Sequence, residues 1–226
     1  MATLPPKWKS ADNIGSIEVL DIFGTDLTVV NAARVSFAKE SQEFDGKDAK
    51  LVQYLAKHHH ISPFFHPQIR LRIKMPIFVA REWYRHTVGF SRNEVSRRYV
   101  DSAAELWIPD ITELRARDVN MKQGSKDTPV EGAEGIVNEI RNANANALIL
   151  YDSLLARNVA PEIARTVLPQ SMYTEFIETA SLAAYARLVG LRTDPHAQRE
   201  IQLYAQVISD MLEPFFPVSW KALIQK

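Results

Sequence analysis

The sequence contains no cysteine. That excludes disulfides, thiolate metal sites and any mechanism built on a thiolate nucleophile. It also lacks an excess of either charge. Lys and Arg number 27 against 27 Asp and Glu, so the chain as a whole has no electrostatic drive to condense on nucleic acid or anionic lipid. No apolar run approaches the length that spans a bilayer, and no N-terminal segment joins a basic start, an apolar core and a small-residue cleavage site. The expectation is a cytoplasmic protein with neither a membrane nor a nucleic acid as partner. What remains is an ordinary globular composition of 226 residues, 46% hydrophobic and 24% charged, which suits one domain over 1–226 with a substantial core.

Hydrophobic periodicity orders the chain. Ser16 to Ile22 alternates as a strand does and Gly24 ends it. Thr25 or Asp26 then caps a helix with Leu27, Val30, Ala33 and Phe37 at three-to-four spacing. Ala49 to His58 reads as a helix closed by His58, His59 and His60. Successive histidines diverge by about 100° around a helix and cannot share one metal ion, so no metal site is expected there. Pro67 to Met75 alternates strictly, with Ile69, Leu71, Ile73 and Met75 against Gln68, Arg70, Arg72 and Lys74, the pattern of a half-buried strand. Pro76 suits the first position of a helix that carries Phe78, Val79, Trp83 and Tyr84 and ends near His86, and the polar residues beyond it read as a loop, where side chains can be presented to a ligand.

Further on, residues 118–135 hold Gly124, Pro129, Gly132 and Gly135 with few large apolar side chains and read as a long mobile loop. Ile136 to Arg157 restores helical spacing as a core helix, with Asn158 as its left-handed cap. Pro161 opens a short helix, and Gln170 to Glu178 makes a further strand. Ser181 to Val189 is helical and ends at Gly190, which leaves Arg192 in a tight connector. Asp194 is then the N-cap, and Pro195 the first residue, of the last long helix.

Against this background one stretch is out of proportion. Glu82 to Tyr99, E-W-Y-R-H-T-V-G-F-S-R-N-E-V-S-R-R-Y, crowds cations, carboxylates and serines together. Guanidinium forks such as Arg85, Arg97 and Arg98 suit phosphate oxygens, because each offers two parallel charge-assisted hydrogen bonds. His86, Asn93, Glu94 and Ser96 supply the mixed donors and acceptors that a nucleobase or flavin edge requires. A solvated basic helix fits the same composition, and a nucleic-acid module using Arg81, Arg85, Arg92, Arg97 and Arg98 is the competing class. Zero net charge and the acceptors Glu82 and Glu94 within the patch argue against the latter.

Arg85-His86, followed by Asn93-Glu94-Val95-Ser96-Arg97-Arg98-Tyr99, resembles the signature of the flavin-dependent thymidylate synthases, R-H-R, seven residues, then Ser. Thr87 stands where that family usually has a second Arg, and one extra residue lies between Thr87 and Asn93. Thr87 cannot supply a guanidinium. Four other segments run in the family order. They are Ala33-Arg34-Val35-Ser36, the I-S-P-F-F-H run from Ile61, the V-A-P-E-I-A-R-T-V-L-P run holding Arg165, and Leu191-Arg192-Thr193-Asp194-Pro195-His196-Ala197-Gln198.

The resemblance implies an α+β fold of the thymidylate-synthase-complementing type, with a mixed or antiparallel sheet and packed helices. It implies methylation of dUMP to dTMP, with methylenetetrahydrofolate as carbon donor and FAD, reduced by NADPH, as hydride carrier. Such a route needs no enzyme thiolate, which agrees with the missing cysteine. The resemblance also assigns roles: Glu82, Arg85, Glu94, Ser96, Arg97, Arg98, Arg165 and Arg192 to dUMP, with Arg192 catalytic; His60, Ser62, Arg85, His86, Thr87, Asn93, Glu94, Ser181 and Arg187 to FAD. It further implies a homotetramer whose sites combine residues from several subunits. Glu82 occupies a position where relatives often have Gln, and Ser181 and Arg187 positions where they use Asn.

Overall fold

The computed structural model describes residues 3–100, 103–118 and 125–224. Its strands are β1 (Trp8–Lys9), β2 (Ser16–Phe23), β3 (Gln68–Pro76), β4 (Phe90–Glu94), β5 (Arg115–Arg117), β6 (Ser125–Pro129) and β7 (Tyr173–Ser181). Five of them form one antiparallel sheet in the order β1-β2-β3-β7-β4, while β5 and β6 pair with each other. The helices are α1 (Asp26–Arg34), α2 (Gly46–Lys57), α3 (Ile77–Trp83), α4 (Ala133–Ala156), α5 (Pro161–Ala164), α6 (Leu182–Arg192), α7 (Arg199–Leu212) and α8 (Ser219–Ile224). This is the expected α+β architecture. No described helix is long and apolar enough to cross a membrane.

The alternation in β3 is what anchors the sheet. Ile69, Leu71, Ile73 and Met75 are buried on one face, whereas Arg70, Arg72 and Lys74 take the other. Each such apolar side chain contributes about 1.5–3 kcal/mol on burial. A slip of one residue would turn all four outward, so the register with β2 on one side and β7 on the other is firmly set. Against this apolar face lies α6, buried at Leu182, Ala183, Ala184, Tyr185, Ala186, Leu188 and Val189, with α7 and α8 packed beside it. Asp26, buried at the start of α1, accepts hydrogen bonds from the backbone N–H groups of Val218 and Ser219, both at 2.9 Å, and so ties the C-terminal segment to the first helix.

Several expected boundaries move. Helix α2 begins at Gly46, before Ala49, because Asp45 caps it: the Asp45 carboxylate accepts from Lys47 N and Asp48 N while Asp48 accepts from Asp45 N. Pro76 is the N-cap of α3 and closes β3, with φ −62° and ψ 146°. Residues 118–135 are not one loop. Those at 119–124, Gly124 included, lie outside the described residues, but 125–129 form β6 against β5, and α4 already begins at Ala133. Helix α4 is not a core helix either. Only Ala133, Val137, Asn144 and Tyr151 are buried in it, and Ile149 and Leu150 are exposed, since spacing reveals a helix without revealing its depth.

The two corrections that matter most lie at the site. The polar stretch after His86 is not a loop but β4, the edge strand of the sheet. Gly190 does not stop α6, which runs on to Arg192. Thr193 closes it, its hydroxyl donating to Val189 O at 2.8 Å. Asp194 is not a helix N-cap: it accepts from His196 N at 2.9 Å and holds a turn, and α7 starts later, at Arg199 after Gln198.

Candidate functional site

The end of α3, the start of β4 and the end of α6 meet around Arg192. As α3 unwinds, Arg85 N and His86 N still donate to Glu82 O and Trp83 O. The chain then turns through Thr87-Val88-Gly89-Phe90, closed by Phe90 N to Thr87 O at 3.2 Å. Gly89 sits at φ +79° in this turn, and a Cβ there would lie 3.2 Å from the Ala184 Cβ. Only glycine meets both the left-handed backbone and the close approach to α6.

Arg192 is held on three sides. Its Nε donates to His86 Nε2 at 2.9 Å, Nη1 to the Glu82 carboxylate at 3.2 Å and Nη2 to Glu82 O at 3.1 Å. A guanidinium has five N–H groups, so one on each terminal nitrogen is left for a ligand. His86 must be neutral to accept the Arg192 bond, which assigns its proton to Nδ1. Burial, reinforced by the charges of Arg192, Arg187 and Arg92, lowers its pKa from 6.5 to about 4. The arrangement is a fixed cation in a cavity of about 1310 Å³ that also takes in Glu82, Arg85, Trp107 and His196.

A second cavity, of about 560 Å³, opens at the far end of β4 and is lined by Lys74, Glu94, Ser96, Arg97, Arg165 and Tyr173 among others. Glu94 accepts from the Thr174 hydroxyl at 2.5 Å, and Arg97 Nη2 reaches Ala103 O at 3.4 Å. The Arg165 side chain has no hydrogen-bond or ion-pair partner among the described residues. Arg98 does not line this cavity. Its guanidinium lies over the Tyr99 ring, 5.3 Å from the centroid, and 3.9 Å from Glu162.

The residues expected to contact dUMP are thus divided: Glu82, Arg85 and Arg192 at one cavity, Glu94, Ser96, Arg97 and Arg165 at the other. Of those expected to contact FAD, His60, Ser62, Thr87, Asn93 and Arg187 are exposed. His86 is half-buried, and Ser181 differs from all of these. It is buried and its Oγ accepts from Ala184 N at 3.2 Å as the cap of α6. No group of metal-ligating side chains occurs among the described residues.

Beneath the first cavity lies a cluster that sequence reasoning missed. Arg92 faces Glu178 directly across β4 and β7. Glu178 is 0% exposed and is paired with Arg92 Nε; it also accepts from Trp83 Nε1 at 3.1 and 3.3 Å. Burial pushes its carboxyl up, opposed by the Arg92 charge, and the fully buried Tyr185 phenol beside it is raised as well. Arg92 Nη1 donates to His86 O at 2.6 Å. Glu178 lies two residues from Phe176 and Ala180, on the face of β7 that carries buried side chains, and that placement was the available signal.

With this geometry in view, relatives give the chain its place. A model of the family described as thymidylate synthase complementing protein matches residues 18–218. A flavin-dependent thymidylate synthase of Thermotoga neapolitana is 38% identical over 212 residues, 93% of this chain and 91% of that protein. One from Wolbachia pipientis wMel is 35% identical over 216 residues, 93% of this chain and 74% of that protein. The crystal structure of a UMP/dUMP methylase, PolB from Streptomyces cacaoi, bound with 5-Br dUMP superposes with a TM-score of 0.82 at 33% identity, covering 91% of this chain and 93% of that one. The chain therefore belongs to the thymidylate synthase complementing family, the flavin-dependent thymidylate synthases.

Proposed function

We propose that the protein methylates dUMP at C5 to give dTMP, taking the carbon from methylenetetrahydrofolate and reducing equivalents from NADPH through FAD, in the cytoplasm. The observation that carries this reading is Arg192, a cation immobilised by Glu82 and His86 with two N–H groups unspent. A preorganised donor of this kind stabilises charge that develops during reaction, since no reorientation is required when it appears. An ionised pyrimidine is such a charge.

The residues present fit a flavin dinucleotide. Arg85 and Arg187 make no ion pair among the described residues and suit its diphosphate. His60, Ser62, Thr87 and Asn93 offer exposed donors and acceptors, and His86 keeps its Nδ1–H. When bound, the flavin supplies the hydride chemistry that a chain without cysteine cannot replace by thiolate addition. This chain's part is binding and orientation: Arg165, Arg97 and Ser96 for the phosphate, Arg85 and Arg192 for the nucleotide's other end. Arg187 is an exposed cation that offsets the threonine in the signature, its charge acting on His86 alongside those of Arg192 and Arg92.

Division of these residues between two cavities supports a homotetramer in which one copy's Ser96, Arg97 and Arg165 join another copy's Arg85 and Arg192 around one dUMP. UMP is a second candidate substrate, because the neighbour is a UMP/dUMP methylase that was also crystallised with 5-Br UMP. The test is direct. Purified protein with FAD should show bound-flavin absorbance and migrate as an oligomer. With NADPH and methylenetetrahydrofolate it should convert dUMP to dTMP, assayed alongside UMP. A protein that retains no FAD and methylates neither nucleotide overturns the reading.

A further inference from the structure

Thr87 removes one cation from the signature, yet the segment it belongs to is not left without one. Five residues later Arg92 points back into the fold, its side chain only 15% exposed. It connects three things at once. Its Nε pairs with Glu178, its Nη1 donates to His86 O at 2.6 Å, and its guanidinium stacks over Phe90 at 4.5 Å from the ring centroid. Glu178 in turn receives the indole N–H of Trp83 from the last turn of α3. One buried carboxylate therefore anchors both ends of the segment that turns from α3 into β4, and His86, the partner of Arg192, stands between those ends.

We propose that Arg92, seated on Glu178, is a positioning residue for the reaction: it fixes the backbone at His86 and thereby the imidazole that orients Arg192. A planar fork is required because two different acceptors, a carboxylate and a carbonyl, are reached by two nitrogens of one rigid group. A lysine keeps the charge that the buried Glu178 needs but cannot reach both. The network also explains a carboxylate in the core, since a buried charge is retained only where it is paired and hydrogen-bonded.

This inference rests on the proposed dUMP methylation, and the experiment separates the two. Wild-type holoenzyme that forms no dTMP or methylated UMP counts against the reaction, not against Arg92. Given an active wild type, Arg92→Lys should keep wild-type melting and flavin content. Turnover at saturating dUMP should fall about tenfold or more while KM stays within about threefold, because misplacement of a charge-stabilising group acts on the transition state. The ¹⁵N spectrum of His86, a single Nδ1–H tautomer in the wild type, should become an average of two. The double variant Arg92→Met, Glu178→Gln removes both buried charges and should fold without restoring turnover. Full turnover in Arg92→Lys, or its recovery in the double variant, overturns the proposal and reduces the pair to a structural one.

Discussion

The two cavities differ in one respect that outweighs their size. Around Arg192 the polar groups are already bonded to one another, through Glu82, His86, Arg92 and Glu178. At the other cavity Arg165 is exposed, and its side chain has no hydrogen-bond or ion-pair partner among the described residues. A group whose geometry is fixed before a ligand arrives acts on charge that appears during reaction, while an exposed cation supplies attraction that is much the same before and during it. On the proposed function the chain separates chemistry from capture, and the following experiments test that separation.

Arg192→Ala should have the largest effect, lowering dTMP formation at saturating dUMP by about 10²–10³-fold with FAD still bound. Steady-state and single-turnover rates check it, and wild-type saturated turnover would erase the contrast. Arg165→Ala should act on the other quantity. A charge-assisted hydrogen bond is worth about 1.5–3 kcal/mol, which is a rise in the apparent KM for dUMP of about 10–150-fold at little cost in saturated turnover. Should kcat fall instead, the second cavity is also part of the chemistry.

Acid sharpens the comparison further. His86 is depressed to about 4 in the folded protein, by burial first and then by Arg192, Arg187 and Arg92. As pH falls from 6.5 toward 4 the unfolded chain takes up this proton and the folded chain does not, so His86 contributes stability that is fully present above 6.5 and is lost across that window. Urea unfolding at pH 5 should show lower stability than at pH 7. The Arg192 bond persists until His86 protonates, so the acid limb of saturated turnover belonging to His86 should fall near 4 rather than 6.5, and His86→Asn should abolish that limb.

Asp26→Ala is the smallest perturbation of the site. It leaves the N–H groups of Val218 and Ser219 without their acceptor, at a cost of about 2 kcal/mol. A scan should record a Tm lower by about 4–8 °C, with kcat and KM for dUMP unchanged.

What the sequence disclosed and what it hid follow from the range of the interactions. The alternation of β3 is local, and its strand formed as read. The polar 90–94 segment reads as a loop in sequence because Arg92 and Glu94 occupy alternate positions where a strand packed on a core is ordinarily apolar. Their partners, Glu178 and Thr174, are 86 and 80 residues further along, and no local pattern reports them. Arg192 was singled out from its motif, but the turn of helix that carries it past Gly190 depends on packing of α6 against the sheet and α7. The two cavities were not visible at all, since the split of the residues expected to contact dUMP depends on which end of β4 each one joins.

The strand order has a consequence for how the site comes into being. β4 borders only β7, and β7 is the third of the sheet's inner strands to be synthesised, ending at Ser181. Until that residue has left the ribosome the signature segment has no strand to lie on, and Arg92 has no carboxylate to meet. Closing so long a loop is slow compared with forming the local helices. A chain interrupted before residue 173 can still pair β2 with β3, but it has no active centre, so catalytic competence marks the completion of the sheet and reports on folding as a whole.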